Sequence, residues 1–177
     1  MLLLQRSLLF LSVMVTTSFL LAQEEKPAEQ PPQEAPPAPI IADAKLNEII
    51  RQELRKKAED PALTEADLKN VYILDAFRSE ITNLSGLEKC VNLAKLDLRE
   101  NGLTDISALT TLSNLQWLDL SQNQVSDLKP LAGLKKLQYL KLTENKIASL
   151  GGLEELSKLS ALMVEKTRFP IWLLSAL

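Results

Sequence analysis

Residues 114–128 read NLQWLDLSQNQVSDL. The alternation Leu118-Asp119-Leu120 predicts a short strand with its leucines on one face, because successive strand side chains point to opposite sides. After it, Val125 and Leu128, followed by Leu131 and Leu134, carry apolar residues around the other side of a coil. Trp117 stands off this grid, a large side chain between Leu115 and Leu118.

The same grid recurs along the chain. Leu93, Leu115, Leu137 and Leu159 are each 22 residues apart, as are Leu96, Leu118, Leu140 and Leu162, and Leu98, Leu120, Leu142 and Val164. Asn101, Asn123 and Asn145 keep the period, followed by Leu103, Val125 and Ile147, then Ile106, Leu128 and Leu150. An earlier, degraded copy runs through Val71, Leu74, Ala76, Ser79, Ile81, Leu84 and Leu87, so residues 71–177 hold about five units, the last partial. One coil cannot bury its own leucines; stacked coils can, and their strands then pair as a parallel sheet along one face of a solenoid. Asn101, Asn123 and Asn145 read as a structural ladder whose amides satisfy backbone groups where the chain turns inside. Cys90 takes the place of Leu112, Leu134 and Leu156 and reads as a small buried apolar residue.

The grid also fixes which side chains face outward. The first column holds Ile73, Lys95, Trp117, Tyr139 and Ala161; the second Asp75, Asp97, Asp119, Lys141 and Met163; the third Phe77, Arg99, Ser121, Thr143 and Glu165; and a fourth, at the strand exit, Arg78, Glu100, Gln122, Glu144 and Lys166. Strands ~4.8 Å apart place Trp117 beside Tyr139, a stiff amphipathic pair of the kind found at binding hot spots. The candidate partner-binding set is Ile73, Phe77, Lys95, Asp97, Arg99, Trp117, Asp119, Tyr139 and Lys141. Asp75, Asp97 and Asp119 form a column of like charges expected to be solvated or paired with Lys95 and Arg99, complementing a basic partner rather than holding a metal.

Composition narrows the function further. The chain has 177 residues, no histidine and a net charge of −3. Lack of histidine removes the usual general base and the commonest transition-metal ligand. An enzyme, a cofactor and a nucleic-acid partner are all unexpected, and a single cysteine excludes an intramolecular disulfide.

Upstream, residues 1–22 (MLLLQRSLLFLSVMVTTSFLLA) read as a signal peptide cut near Ala22, which predicts a secreted, periplasmic or cell-envelope protein with no membrane span in the mature chain. An uncleaved anchor is the alternative, disfavoured because the apolar run falls short of the ~20 residues needed to span a bilayer. Residues 23–40 form a proline-rich linker expected to be disordered. Residues 41–70 predict a helical cap: Ala42, Leu46, Ile49, Ile50 and Leu54 make one apolar stripe, Asp43 caps its start, Arg55, Lys56 and Lys57 lie near its end, and Thr64 with Asp67 starts a second short helix. The segment RFPIWLLSAL at 168–177 covers the last coil, and its surplus apolar surface suits self-association or docking of an assembly subunit.

The phrases LAKLDLRENGLTDISAL, LQWLDLSQNQVSDLKPL and LQYLKLTENKIASLGGL resemble the leucine-rich repeat. The 22-residue period with "DLxPL", and the upstream "TEADL", resemble the short class of the bacterial internalins and their amino-terminal cap. This resemblance extends from about Ile40 onward. It implies an α/β solenoid, a right-handed coil with a parallel β-sheet on its concave face and a helical N-terminal cap. It also implies an exported, non-enzymatic scaffold that recognises a protein or peptide on the strand face. A similar short repeat occurs in intracellular regulators of protein phosphatases, an alternative setting if residues 1–22 do not direct export.

Overall fold

Every coil begins with the same three-residue alternation, and in the computed structural model, which describes residues 38–167, each alternation is a strand. The strands are β1 (Ile73–Asp75), β2 (Lys95–Asp97), β3 (Trp117–Asp119), β4 (Tyr139–Lys141) and β5 (Ala161–Met163). They pair in parallel and in sequence order, with each residue opposite the one a repeat later: Ile73, Lys95, Trp117, Tyr139 and Ala161 stand in one row. The middle residue of each strand points inward, so Leu74, Leu96, Leu118 and Leu140 are buried. At ~1.5–3 kcal/mol for each buried leucine, this inner column is a main source of stability. Leu162 and Val164, on the last described coil, are only half-buried.

At each strand exit the chain turns through one residue in the left-handed region: Arg78, Glu100, Gln122, Glu144 and Lys166 have φ between 50° and 56°. None is glycine or asparagine, the residues that adopt this conformation most easily, and the repeat pattern does not announce it. Their long side chains pair across coils, Gln122 Nε2 donating to Glu144 at 3.0 Å and Lys166 Nζ to Glu144 at 2.9 Å.

The asparagine that follows faces inward. Asn123 Nδ2 donates to the carbonyls of Leu98 (2.8 Å) and Leu120 (3.0 Å), while its Oδ1 accepts from Leu103 N at 3.1 Å. Asn101 and Asn145 repeat the arrangement one coil to either side, so Leu98 and Leu120 each accept from two asparagines. The return side of the first three coils contains single 3-10 turns at Leu87–Lys89, Ser107–Thr111 and Lys129–Leu131. Gly86, with φ 99°, must be glycine: a Cβ there would overlap the carbonyl oxygen of Ile40, where the chain entering the cap crosses it.

The cap consists of α1 (Ala44–Glu53) and α2 (Glu65–Leu68). Asp43 Oδ1 accepts from Lys45 N and Leu46 N, and its Oδ2 from Thr82 N at 3.3 Å, joining the helix start to the first coil. The helix stripe differs from expectation at both ends. Ala42 precedes the capping residue and is exposed, its N–H bonded to Ser85 O, while Ile41 takes the buried place. Arg55, Lys56 and Lys57 lie beyond the helix. Arg51 is the basic residue of the last turn, and its guanidinium donates to the carbonyls of Lys57, Asp60 and Pro61, pinning the loop.

Thr64 and Asp67 cap α2 reciprocally, and Lys56 Nζ lies 2.9 Å from Asp67. The Lys56 hydrogen bond, then those from Thr64, lower the Asp67 carboxyl to about 2. A depressed aspartate stabilises the fold above its unfolded value and loses that contribution as pH falls through the folded one. Asp67→Asn is therefore expected to cost about 1 kcal/mol near neutral pH, the shift being discounted for partial exposure. Urea titrations of both proteins should show this gap closing as pH falls toward 2.

The expected signal peptide at 1–22, the linker up to residue 37 and the apolar segment at 168–177 lie outside the described residues. Among the described residues, no helix is long and apolar enough to cross a membrane.

Candidate functional site

Because the register is strict, the outward residues of the five strands form straight rows across the sheet. In the first row, Trp117 and Tyr139 stack with ring centroids 5.4 Å apart and planes 2° from parallel. Lys95 Nζ lies over the Trp117 ring at 4.8 Å from its centroid, and Lys141 Nζ sits 5.9 Å from that of Tyr139. The aromatic pair thus packs on itself and on Lys95, as a simple sheet cover would. Both rings nevertheless remain partly exposed. Tyr139 Oη donates to Met163 Sδ at 3.6 Å, extending the row to β5.

At the β1 end, Ile73 and Phe77 are exposed, and the Arg99 guanidinium lies 4.5 Å from the centre of the Phe77 ring. Tyr72, immediately before β1, is a further large exposed side chain at this end, 55% exposed. Sequence reasoning passed over it because it precedes the strand. Its signal was an aromatic residue at the place taken by Ala94, Gln116, Gln138 and Ser160 in the other units.

The aspartate column meets its expectation in part: Asp97 pairs with Arg99, but Lys95 is not a partner and two of the three carboxylates are buried. Asp75 is exposed, but Asp97 and Asp119 are 4% and 1% exposed, and neither is solvated. Each folds back on its own strand exit: Asp97 Oδ1 accepts from Arg99 N at 3.2 Å, and Asp119 Oδ1 from Ser121 N at 2.9 Å. The cations then cover them, with Arg99 Nε 3.1 Å from Asp97 and Lys141 Nζ 3.8 Å from Asp119. Lys95 is not their counter-ion, since it lies on Trp117. Burial raises the Asp97 carboxyl above the ordinary aspartate range, against the pull of the Arg99 N–H and guanidinium; the Asp119 and Asp75 charges push the same way. Among the described residues no cluster of three or more cysteine, aspartate or glutamate side chains is placed to hold a metal ion.

Cys90 is fully buried, and burial, then the Glu88 charge, pushes its thiol up to about 12. It contributes packing rather than a reactive thiolate.

The family of leucine-rich repeats, in a two-copy form, matches residues 113–160. The internalin inlF of Listeria monocytogenes is 31% identical with a TM-score of 0.70, over 76% of this chain and 40% of that one. Internalin C2 of the same species is 30% identical with a TM-score of 0.71, over 73% of this chain and 57% of that one. A leucine-rich repeat protein of Leptospira interrogans is 29% identical with a TM-score of 0.56, over 58% of this chain and 27% of that one. The chain thus spans only part of the length of each of these proteins. No curated protein sequence matches it. With five in-register parallel strands, an inward asparagine ladder and these likenesses, the chain is an internalin-like leucine-rich repeat protein.

Proposed function

We propose that the chain is an exported, non-enzymatic module that binds a protein or peptide partner across its strand face. The centre of that face is Trp117 and Tyr139, with Ile73, Phe77, Lys95, Arg99 and Lys141 around them and Asp97 and Asp119 holding Arg99 and Lys141 from below. The observation that carries this reading is the half-exposed aromatic stack on a rigid parallel sheet. Nothing in the stacking of coils requires an aromatic at an outward position, and Lys95 and Ala161 occupy the same row in neighbouring coils. Large, stiff side chains held by a scaffold bind with little loss of conformational freedom. An enzyme is disfavoured by the lack of histidine and by carboxylates already spent on backbone N–H groups and cations. Export rests on the apolar segment at 1–22.

Trp117→Ala provides the test. It removes the stack with Tyr139, worth about 0.5–1.5 kcal/mol, and should leave the fold intact. Binding of a partner captured from the native compartment should weaken by about 2 kcal/mol or more, the size expected of a hot-spot residue. Calorimetry on the captured partner with both proteins measures it. Equal affinity for the two proteins would refute the placement of the site, and unfolding of the variant would make Trp117 a core residue.

A further inference from the structure

The charges on the strand face are layered. Asp97 and Asp119, whose side chains are 6% and 2% exposed, lie beneath; Arg99 and Lys141, 44% and 32% exposed, lie above them. Each cation meets one carboxylate, and an arginine or lysine has more donors than one carboxylate consumes. Lys95 is exposed and has no carboxylate within ion-pair distance among the described residues; its contact is the Trp117 ring. The negative charge of the second column is thus mostly hidden. At the strand exits Glu100 and Glu144 are paired with Arg78 and Lys166, and Glu165 is exposed just past β5. The charges that stand against the aromatic rings are the cations Lys95 and Lys141.

The aromatic stack adds to this. With Trp117 and Tyr139 face to face and Lys95 on Trp117, both electron-rich faces of Trp117 and one of Tyr139 are occupied, and what Trp117 leaves to a partner is its ring edge. Ring edges carry the positive end of the aromatic quadrupole, so they favour carboxylate and carbonyl oxygens over cations. Toward β1 the character changes: Ile73 and Phe77 are apolar and exposed, and Asp75 is the exposed carboxylate of the column, one oxygen accepting from Phe77 N.

We infer that the strand face takes an extended acidic peptide segment of another protein, with carboxylates set by Lys95, Arg99 and Lys141 and an apolar side chain over Ile73 and Phe77. This rests on the reading of the face as a recognition surface and names the chemistry of its partner. Five strands at ~4.8 Å span about 19 Å, the length of roughly six extended residues. Asp75 on β1 and the exposed Glu165 just past β5 bound the acidic part of the segment, which lies over β2 to β4 between them. The limited number of cations, two of them already paired with the protein's own carboxylates, fits a short protein segment rather than a densely charged polyanion.

Random peptides displayed on phage, selected on the full chain with the Trp117→Ala chain as counter-selection, supply the probes. Fluorescence anisotropy of each selected peptide then measures its Kd. Trp117-dependent peptides are expected to be net acidic with an apolar residue at one end. Lys95→Glu should weaken them at least ~10-fold, with Lys95→Gln intermediate. Asp75→Asn keeps the acceptor for Phe77 N, removes the repelling charge and should tighten binding ~2–3-fold, a gain that damage to the fold would not produce. Neutral or basic Trp117-dependent peptides, or unchanged affinity in Lys95→Glu, would overturn the acidic-partner inference while leaving the face as a binding site. Selection that yields no Trp117-dependent peptide would sink the recognition face itself, and this inference with it.

Discussion

Leu118→Ala is expected to lower stability by about 3–5 kcal/mol, the upper part of the range for emptying a buried leucine site. Leu118 is fully buried at the centre of β3, with Leu96 and Leu140 opposite it in the flanking strands. A cavity costs least where its walls can close in, and here the walls are strands locked on both sides: Gln116 N donates to Ala94 O and Gln138 N to Gln116 O, both at 2.8 Å. Collapse would need the ladder to break. The equivalent change at Leu162, half-buried on the last described strand, should cost clearly less. Urea denaturation of the three proteins tests both statements through the midpoint, with the slope showing whether unfolding stays cooperative. A loss below about 1 kcal/mol in Leu118→Ala would mean that the inward and outward faces of the strand are interchanged.

That inward face was legible because burial forces a pattern on sequence. Leu118 and Asn123 occupy positions where water is absent and every coil faces its neighbour in one register, so the same residue types return every 22 positions. Trp117 was legible for the opposite reason: it answers no demand of the stack, and so stood out from it. What escaped sequence reading was local backbone chemistry. Asp119 occupies an outward position in the alternation, yet it is 1% exposed because its carboxylate curls back to Ser121 N while Lys141 lies over it. Alternation fixes the direction of a Cβ, not the course of the side chain beyond it. Gln122 likewise gives no sign of its positive φ, since the turn is imposed by the strand before it and the inward asparagine after it.

The asparagine ladder yields the second large effect. Asn123→Ala should cost about 2–4 kcal/mol, chiefly because Leu103 N loses its acceptor inside the stack, where an unpaired donor costs ~1–3 kcal/mol. The carbonyls of Leu98 and Leu120 suffer less, since Asn101 and Asn145 still donate to them. Asn123→Asp separates this account from a simple loss of volume. The introduced carboxyl is nearly isosteric and keeps the acceptor for Leu103 N, but once ionised it sets a buried charge against the Leu98 and Leu120 carbonyl oxygens. Its pKa must then rise above that of an ordinary aspartate. An acid raised in the folded state stabilises the protein below its unfolded pKa, and that contribution is lost as pH rises through the folded one. Asn123→Asp should therefore be at least as unstable as Asn123→Ala at about pH 7 and recover relative to it below about pH 5. Thermal melts of both variants across that range provide the measurement. Parallel pH profiles for the two would show that the amide fills space at the turn without carrying the hydrogen bonds that join one coil to the next.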